Sequence, residues 1–245
     1  MSTMALAAEQ ATALWDRDQF LAELRAVGRE RYHDRHPFHR LMNDGRLNAA
    51  QLRGWVANRF YYQCCIPLKD AAILSNCPLP EVRRVWVRRL HDHDGTGEDQ
   101  GGIAAWLQLA EAVGLTRAEV EDGRHVLPGV RFAVDAYVQF ARSRPWPVAV
   151  ASSLTELFAP DLMRERLAAF EKYYTWVPAW GLAYFRARLT QARRDSEHAL
   201  ALTFEHCVTP ELQRDALRAL VFKCDVLWAM LDALAQAYDD GGQRE

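Results

Sequence analysis

Apolar residues recur at three- and four-residue spacing through most of the chain, and strict apolar–polar alternation is rare, which predicts helices rather than strands. The punctuation between these stretches is equally helical. Asn48 caps a segment running toward Asn76, with Pro67 inside it as a kink or break. Pro80 sits as a first helical residue for 80–93, and the GTGEDQGG stretch at 95–102 reads as a loop. A helix follows at 103–113, closed by Gly114, and Thr116 with Glu119 makes a capping-box pair for a short one. Helical patterns continue at 128–143, at about 147–158, from Pro160 and at 178–204. Thr209 with Pro210 then opens a last helix to about Tyr238. Hairpin signals, internal repeats and an inter-domain linker are not found. The expectation is a compact single-domain all-α helical bundle over residues 18–238, with a frayed lead-in at 1–17 and a polar tail at 239–245.

Projecting these helices at about 100° per residue exposes an anomaly. In 80–94 the apolar stripe is Val82, Val85, Trp86 and Leu90, and Arg89 and His93 fall in its middle. In 209–238, Lys223 lies within the stripe of Leu212, Ala216, Ala219, Val226, Leu227 and Met230. In 48–66, Arg59 sits among Leu52, Trp55, Tyr62 and Ile66, with Gln63 flanking. One inward cation reads as an ion pair or a snorkelling side chain. Several, with no inward carboxylates in the same stripes, call for an anion, because unpaired buried charge costs several kcal/mol, roughly. The inference is a closed pocket for a multiply negative small ligand. Tyr184 and Arg188, four residues apart beside Trp180 and Gln191, stay ambiguous because Leu182, Phe185 and Leu189 form a second stripe.

Composition narrows the classes. Thirty Lys+Arg against 32 Asp+Glu leave a net charge of −2, which argues against a nucleic-acid binder. No uncharged apolar run reaches the 18 or so residues of a membrane span, and the first residues lack the pattern of a secretory signal. The five cysteines, Cys64, Cys65, Cys77, Cys207 and Cys224, include no C-x-x-C pair and read as thiols in a reducing cytoplasm.

Several chemical motifs fail on inspection. The 95–102 loop lacks the Gly-Lys-Ser/Thr ending of a phosphate loop and carries Glu98 and Asp99. His91 and His93 diverge by about 160° on a helix. Glu30-x-x-His33 matches half of a di-iron bundle signature, and Asp195-x-x-His198 is an imperfect second half. His206 and Cys207 also diverge, which weakens a Cys-His nucleophile.

The strings GWVANRFYYQ (54–63), IPLKDAAI (66–73), DHDG (92–95), HVLPGVRFAVDAY (125–137), SSLTELFAP (152–160) and FKCDVLWAMLDA (222–233) resemble the pyrroloquinoline-quinone (PQQ) synthase family, over roughly 18–238. The resemblance implies a heme-oxygenase-like bundle acting as a homodimer. It further implies the last step of PQQ formation: ring closure and multi-electron oxidation of a quinone tricarboxylate amino-acid precursor by O2, with release of H2O2 and without metal or organic cofactor. It places the pocket on Tyr32, His33, Arg59, Gln63, Arg89, His93, Tyr137, Glu156, Arg166, Tyr184, Arg188 and Lys223, with His93, Tyr184 and Arg188 on the oxygen side. Four of these, Arg59, Arg89, His93 and Lys223, also stand out in the projection. Catalytic roles fall to His93, Tyr184, Arg188 and His33, and substrate contacts to the rest. Where the family pattern can carry a histidine after FAP, this chain has Met163, which can neither transfer a proton nor donate a hydrogen bond, so either that contact is dispensable or proton handling falls to His93 and His33. Cys64 and Cys65 stand as packing variants. Other classes that fit are a di-iron oxygenase of related architecture and a non-catalytic carrier of PQQ or its precursor. A heme or thiamine-pyrimidine role rests on architecture alone.

Overall fold

The computed structural model describes residues 13–238; the expected tail at 239–245 and most of the expected lead-in lie outside them. Twelve α-helices are present among the described residues, and no strand. α1 (Arg17–Arg31) and α2 (Pro37–Asn43) flank a 3₁₀ turn at His33–Arg35. They are followed by α3 (Ala49–Asn76), α4 (Pro80–Trp86), α5 (Arg88–Asp94), α6 (Gly101–Ala112), α7 (Arg117–Glu121) and α8 (Pro128–Ser143). α9 (Trp146–Ala151) runs into a 3₁₀ stretch at Ser152–Leu157. Then come α10 (Ala159–Tyr173), a 3₁₀ turn at Ala179–Leu182, α11 (Ala183–His206) and α12 (Pro210–Ala237).

The caps are where the residue types put them. Asn48 and Thr116 form reciprocal capping boxes with Gln51 and Glu119, and the Thr209 hydroxyl accepts from the Leu212 N–H. The helices Arg17–Arg31 and Pro37–Asn43 add to those expected from the pattern. The first is opened by a capping box of Asp16 and Gln19. Pro67 does not end α3, which continues to Asn76. Its missing N–H removes only the bond that the Gln63 carbonyl would have received.

Two expected helices are interrupted. The 80–93 segment breaks at Val87, where the Leu90 N–H bonds the Val87 carbonyl three residues back. Val85, expected inward, is exposed, because Val82 and Trp86 alone take the buried face of this short helix. The 147–158 segment tightens to 3₁₀ after Ala151, which delivers Ser153, Thr155 and Glu156 to the interior with a different angular step.

α3 and α12 form the spine, and α8 packs against both. The Asn58 side chain locks α3 to the start of α8. Its Nδ2 donates to the His125 carbonyl (3.0 Å) and its Oδ1 accepts from the Leu127 N–H (2.8 Å). Trp55, Trp106, Phe170 and Phe185 build an aromatic core beside it, with the Trp106 indole N–H donating to the Val56 carbonyl at 2.9 Å. This core backs a pocket through Tyr184, which packs edge-on against Trp106.

Candidate active site

Between α3, α5, α8, α11, α12 and the 152–157 stretch lies a pocket to which each of them contributes side chains. Helical spacing loads its walls. On α3, Arg59, Tyr62, Ile66 and Lys69 come round to one face, and on α11 Tyr184 and Arg188 do. His93, Tyr137, Glu156, Lys223 and the Tyr32–His33 pair close the enclosure.

One side of the site is positively charged without acids of its own. Arg59 lies over the Tyr62 ring at 4.0 Å, and its Nε has no partner. Lys223 donates to the Tyr62 hydroxyl (2.7 Å) and sits over the Tyr137 ring at 3.6 Å. Burial first, then Arg59 and Lys69, hold its ammonium far below its usual pKa. Arg166 stands behind this wall, stacked over Trp55 and donating to His39 Nδ1 at 3.3 Å. Burial and Arg59 pull its pKa down to about 9. His33 and His39, with ring centroids 5.4 Å apart, are pushed well below the usual imidazole range by burial first; His39 and Arg59 add to the shift of His33, and Arg166 and Arg59 to that of His39.

The opposite side is neutralised. Arg89 forks onto Glu156 at 3.0 and 2.8 Å, and Arg188 Nη1 meets Asp195 at 3.3 Å. Lys69 is paired with buried Asp70 at 2.5 Å and with the Ser153 hydroxyl at 3.0 Å. The expectation that inward cations lack inward acids is therefore corrected. Asp70, Glu156 and Asp195 compensate Lys69, Arg89 and Arg188, and the surplus is confined to Arg59, Arg166 and Lys223.

His93 lies on this second side. Its Nδ1 is 3.0 Å from the Arg89 carbonyl, an atom that only accepts, so the ring proton sits on Nδ1 and the lone pair on Nε2. Burial, reinforced by Arg188, lowers its pKa to about 4. The imidazole is thus neutral at pH 7, with an unprotonated Nε2. Tyr184, edge-on to Trp106, donates its hydroxyl to Gln63 Oε1 at 3.0 Å.

Among curated proteins, the chain is 58% identical over 227 residues to the pyrroloquinoline-quinone synthase of Pseudomonas aeruginosa, covering 93% of this chain and 90% of that one. It is 57% identical over 221 residues to the synthase of Cronobacter sakazakii, covering 90% and 88%. The TENA/THI-4/PQQC family model matches residues 21–233. The chain belongs to this family, on its pyrroloquinoline-quinone synthase branch. Two solved structures share the fold: a domain of unknown function with a heme oxygenase-like fold from Shewanella denitrificans (TM-score 0.75, 14% identity, 95% and 97% covered), and a TenA homolog from Pseudomonas syringae pv. tomato (0.71, 15%, 91% and 97%).

Of the twelve positions suggested by the synthase resemblance, nine line the cavity: Tyr32, His33, Arg59, His93 and Tyr137, with Glu156, Tyr184, Arg188 and Lys223. Gln63, Arg89 and Arg166 are buried behind it: Gln63 accepts from Tyr184, Arg89 donates to Glu156, and Arg166 rests on Trp55 and His39 one layer further back. Arg89 spends both terminal nitrogens on Glu156, so it presents that carboxylate rather than its own fork. Met163 lines the wall where the synthase pattern can carry histidine. Lys69, absent from the expected set, lines it too. The repeat from Tyr62 through Ile66 to Lys69 carries the signal, but the projection stopped at Pro67. The di-iron pattern does not assemble. Glu30 is exposed while His33 is buried, Asp195 is held by arginines, and no group of three or more His, Cys, Asp or Glu converges among the described residues.

Proposed function

We propose that the protein catalyses the final step of PQQ biosynthesis, closing a ring and oxidising a quinone tricarboxylate precursor with O2. The observation that carries this reading is one pocket with surplus cations on one side and a neutral imidazole with an unprotonated Nε2 on the other. Carboxylates of the precursor meet Arg59, Lys223 and, behind them, Arg166; an Arg fork binds a carboxylate bidentately while Lys supplies a point charge. Anchored this way, the free amine is held against a quinone carbonyl and cyclisation becomes effectively unimolecular.

Oxidation requires a ring C–H proton to leave. His93 Nε2 takes it, and the electron pair stays on the ring as an enolate-like anion. Transfer of two electrons and two protons from the reduced ring system to each O2 gives H2O2. Arg188, with Tyr184 beside it, stabilises the reduced-oxygen anion as it forms. The aromatic walls exclude competing water. Dimer formation, cytoplasmic location and independence from metal and cofactor accompany this proposal; no described helix is long and apolar enough to cross a membrane.

The test is direct. Purified protein given the precursor in the presence of chelator consumes O2 and yields PQQ and H2O2. Activity that disappears with chelator and returns with iron overturns the cofactor-free part. Binding without any oxygen uptake leaves a carrier instead. His93→Ala retains precursor binding and loses turnover.

A further inference from the structure

Asp195 is buried at 4% exposure on α11, and three guanidinium groups meet it. Its Oδ2 accepts from Arg188 Nη1 at 3.3 Å. Its Oδ1 accepts from Arg194 Nε and Nη2 at 3.2 and 2.8 Å, and its main-chain carbonyl accepts from Arg89 Nη2 at 2.7 Å. Burial opposes ionisation of this carboxyl, but Arg89, Arg188 and Arg194 together hold it below the usual carboxylate range. On the outer side Arg194 also pairs with Asp92, so alternating charges run from the cavity wall to the surface.

The arrangement divides the donors of Arg188. Nη1 is held by Asp195 and, more loosely, by Gln191 Oε1 at 3.5 Å. Nη2 stands 3.6 Å from Glu156, beyond hydrogen-bond distance. Among the described residues Nη2 and Nε find no hydrogen-bond partner, on a residue that lines the pocket. Arg89 is used differently, with both terminal nitrogens given to Glu156. Two arginines side by side thus have different uses: Arg89 commits both terminal nitrogens to acid and keeps only a buried Nε unpaired, whereas Arg188 is gripped by a single terminal nitrogen and keeps the other in reserve.

We infer that Asp195 is a positioning residue for oxygen reduction, clamping Arg188 by one nitrogen so that its remaining donors serve the reduced-oxygen anion. The inference rests on the proposed activity. It gives a role to the Asp of the Asp195-x-x-His198 pattern other than metal binding. Releasing the clamp lets the guanidinium turn fully onto Glu156, and misplacement of about an ångström suffices for a loss of around 100-fold.

Two readouts separate positioning from mere structure. They are kcat/KM for O2 at saturating precursor, and anaerobic affinity for PQQ by absorbance titration. Asp195→Ala is expected to lower the first by about 10- to 100-fold and to leave the second within about 3-fold, less than one tenfold step of binding free energy. Asp195→Glu, which keeps the charge, recovers part of the rate. Where Asp195→Ala does not fold, the isosteric Asp195→Asn, which keeps an acceptor but loses the charge, carries the same two measurements. A folded variant with wild-type kcat/KM for O2, or one whose PQQ affinity falls in step with its rate, overturns the inference. Wild-type protein that binds PQQ but takes up no O2 with precursor overturns the proposed activity itself, before any variant is compared.

Discussion

Nδ1 of His93 lies 3.0 Å from the main-chain carbonyl of Arg89, one turn back on α5. That contact fixes the tautomer, and burial with Arg188 brings the pKa to about 4. The acid limb of the turnover profile should therefore lie near pH 4, not near 6.5. The same shift has a stability sign. The unfolded chain binds a proton at about 6.5 that the native state refuses until about 4, so stability is full above 6.5 and declines as pH falls through that window. His93 contributes about 3 kcal/mol to this decline, and His33 and His39 act in the same direction. Urea midpoints from pH 7.5 to 4.5 check it; His93→Gln should flatten the curve. An unchanged slope would count against a buried neutral imidazole.

Lys223 is held in place at a cost to the empty protein. Replacing it with Met removes a buried cation crowded by Arg59 and Lys69. Unliganded stability is expected to rise by about 1–3 kcal/mol, while anaerobic affinity for PQQ falls by at least about 30-fold. Thermal melts with and without PQQ read both effects from one sample. A variant that melts lower when empty contradicts the surplus-charge account.

Lys69 behaves in the opposite way, because Asp70 depends on it. Asp70 Oδ1 receives both Lys69 and the Trp86 indole N–H (3.0 Å), while its Oδ2 is buried without a partner. Lys69→Met alone should cost about 3–5 kcal/mol by stranding the carboxylate, and adding Asp70→Leu should recover most of it. Chemical denaturation of the single and double variants decides; additive losses would refute the pair.

Gly28 on α1 marks a close approach. A Cβ there would lie 2.0 Å from Phe158 Cζ, and Phe158 packs on Tyr32 with ring centroids 5.2 Å apart. Gly28→Ala should destabilise by about 1–3 kcal/mol despite the better helix propensity of Ala. Combining it with Phe158→Leu should relieve much of that loss. Denaturant midpoints for the double-mutant cycle supply the measurement.

The fold was legible wherever a cap or period stands alone in the sequence, as at Asn48 with Gln51, Thr116 with Glu119 and the stripe carrying Lys223. Arg89 and His93 were legible too, being one helical turn apart. Lys69 was hidden because a proline suggests a broken period, whereas the helix passes through Pro67 and brings Lys69 onto the face of Tyr62 and Ile66. Glu156 could not be projected at all, since it lies in a 3₁₀ stretch where each residue turns about 120° rather than 100°. Asp195 lies two turns after Arg188 on the same helix, yet the two stripes of α11 obscured which face was inward. Acids that balance the cations thus came from elements whose periodicity was interrupted or double, and only packing brought them together.

The surplus at Arg59, Arg166 and Lys223 makes the empty cavity an ion exchanger of molecular size. Before precursor arrives, small anions from the solvent compete for the same charges, so binding measured in citrate or phosphate is a displacement constant rather than an intrinsic one. Charge draws in polyanions without distinguishing among them. Discrimination then has to come from outline, and the tyrosine faces of Tyr32, Tyr62, Tyr137 and Tyr184 that line the site are what a ligand's shape would be read against.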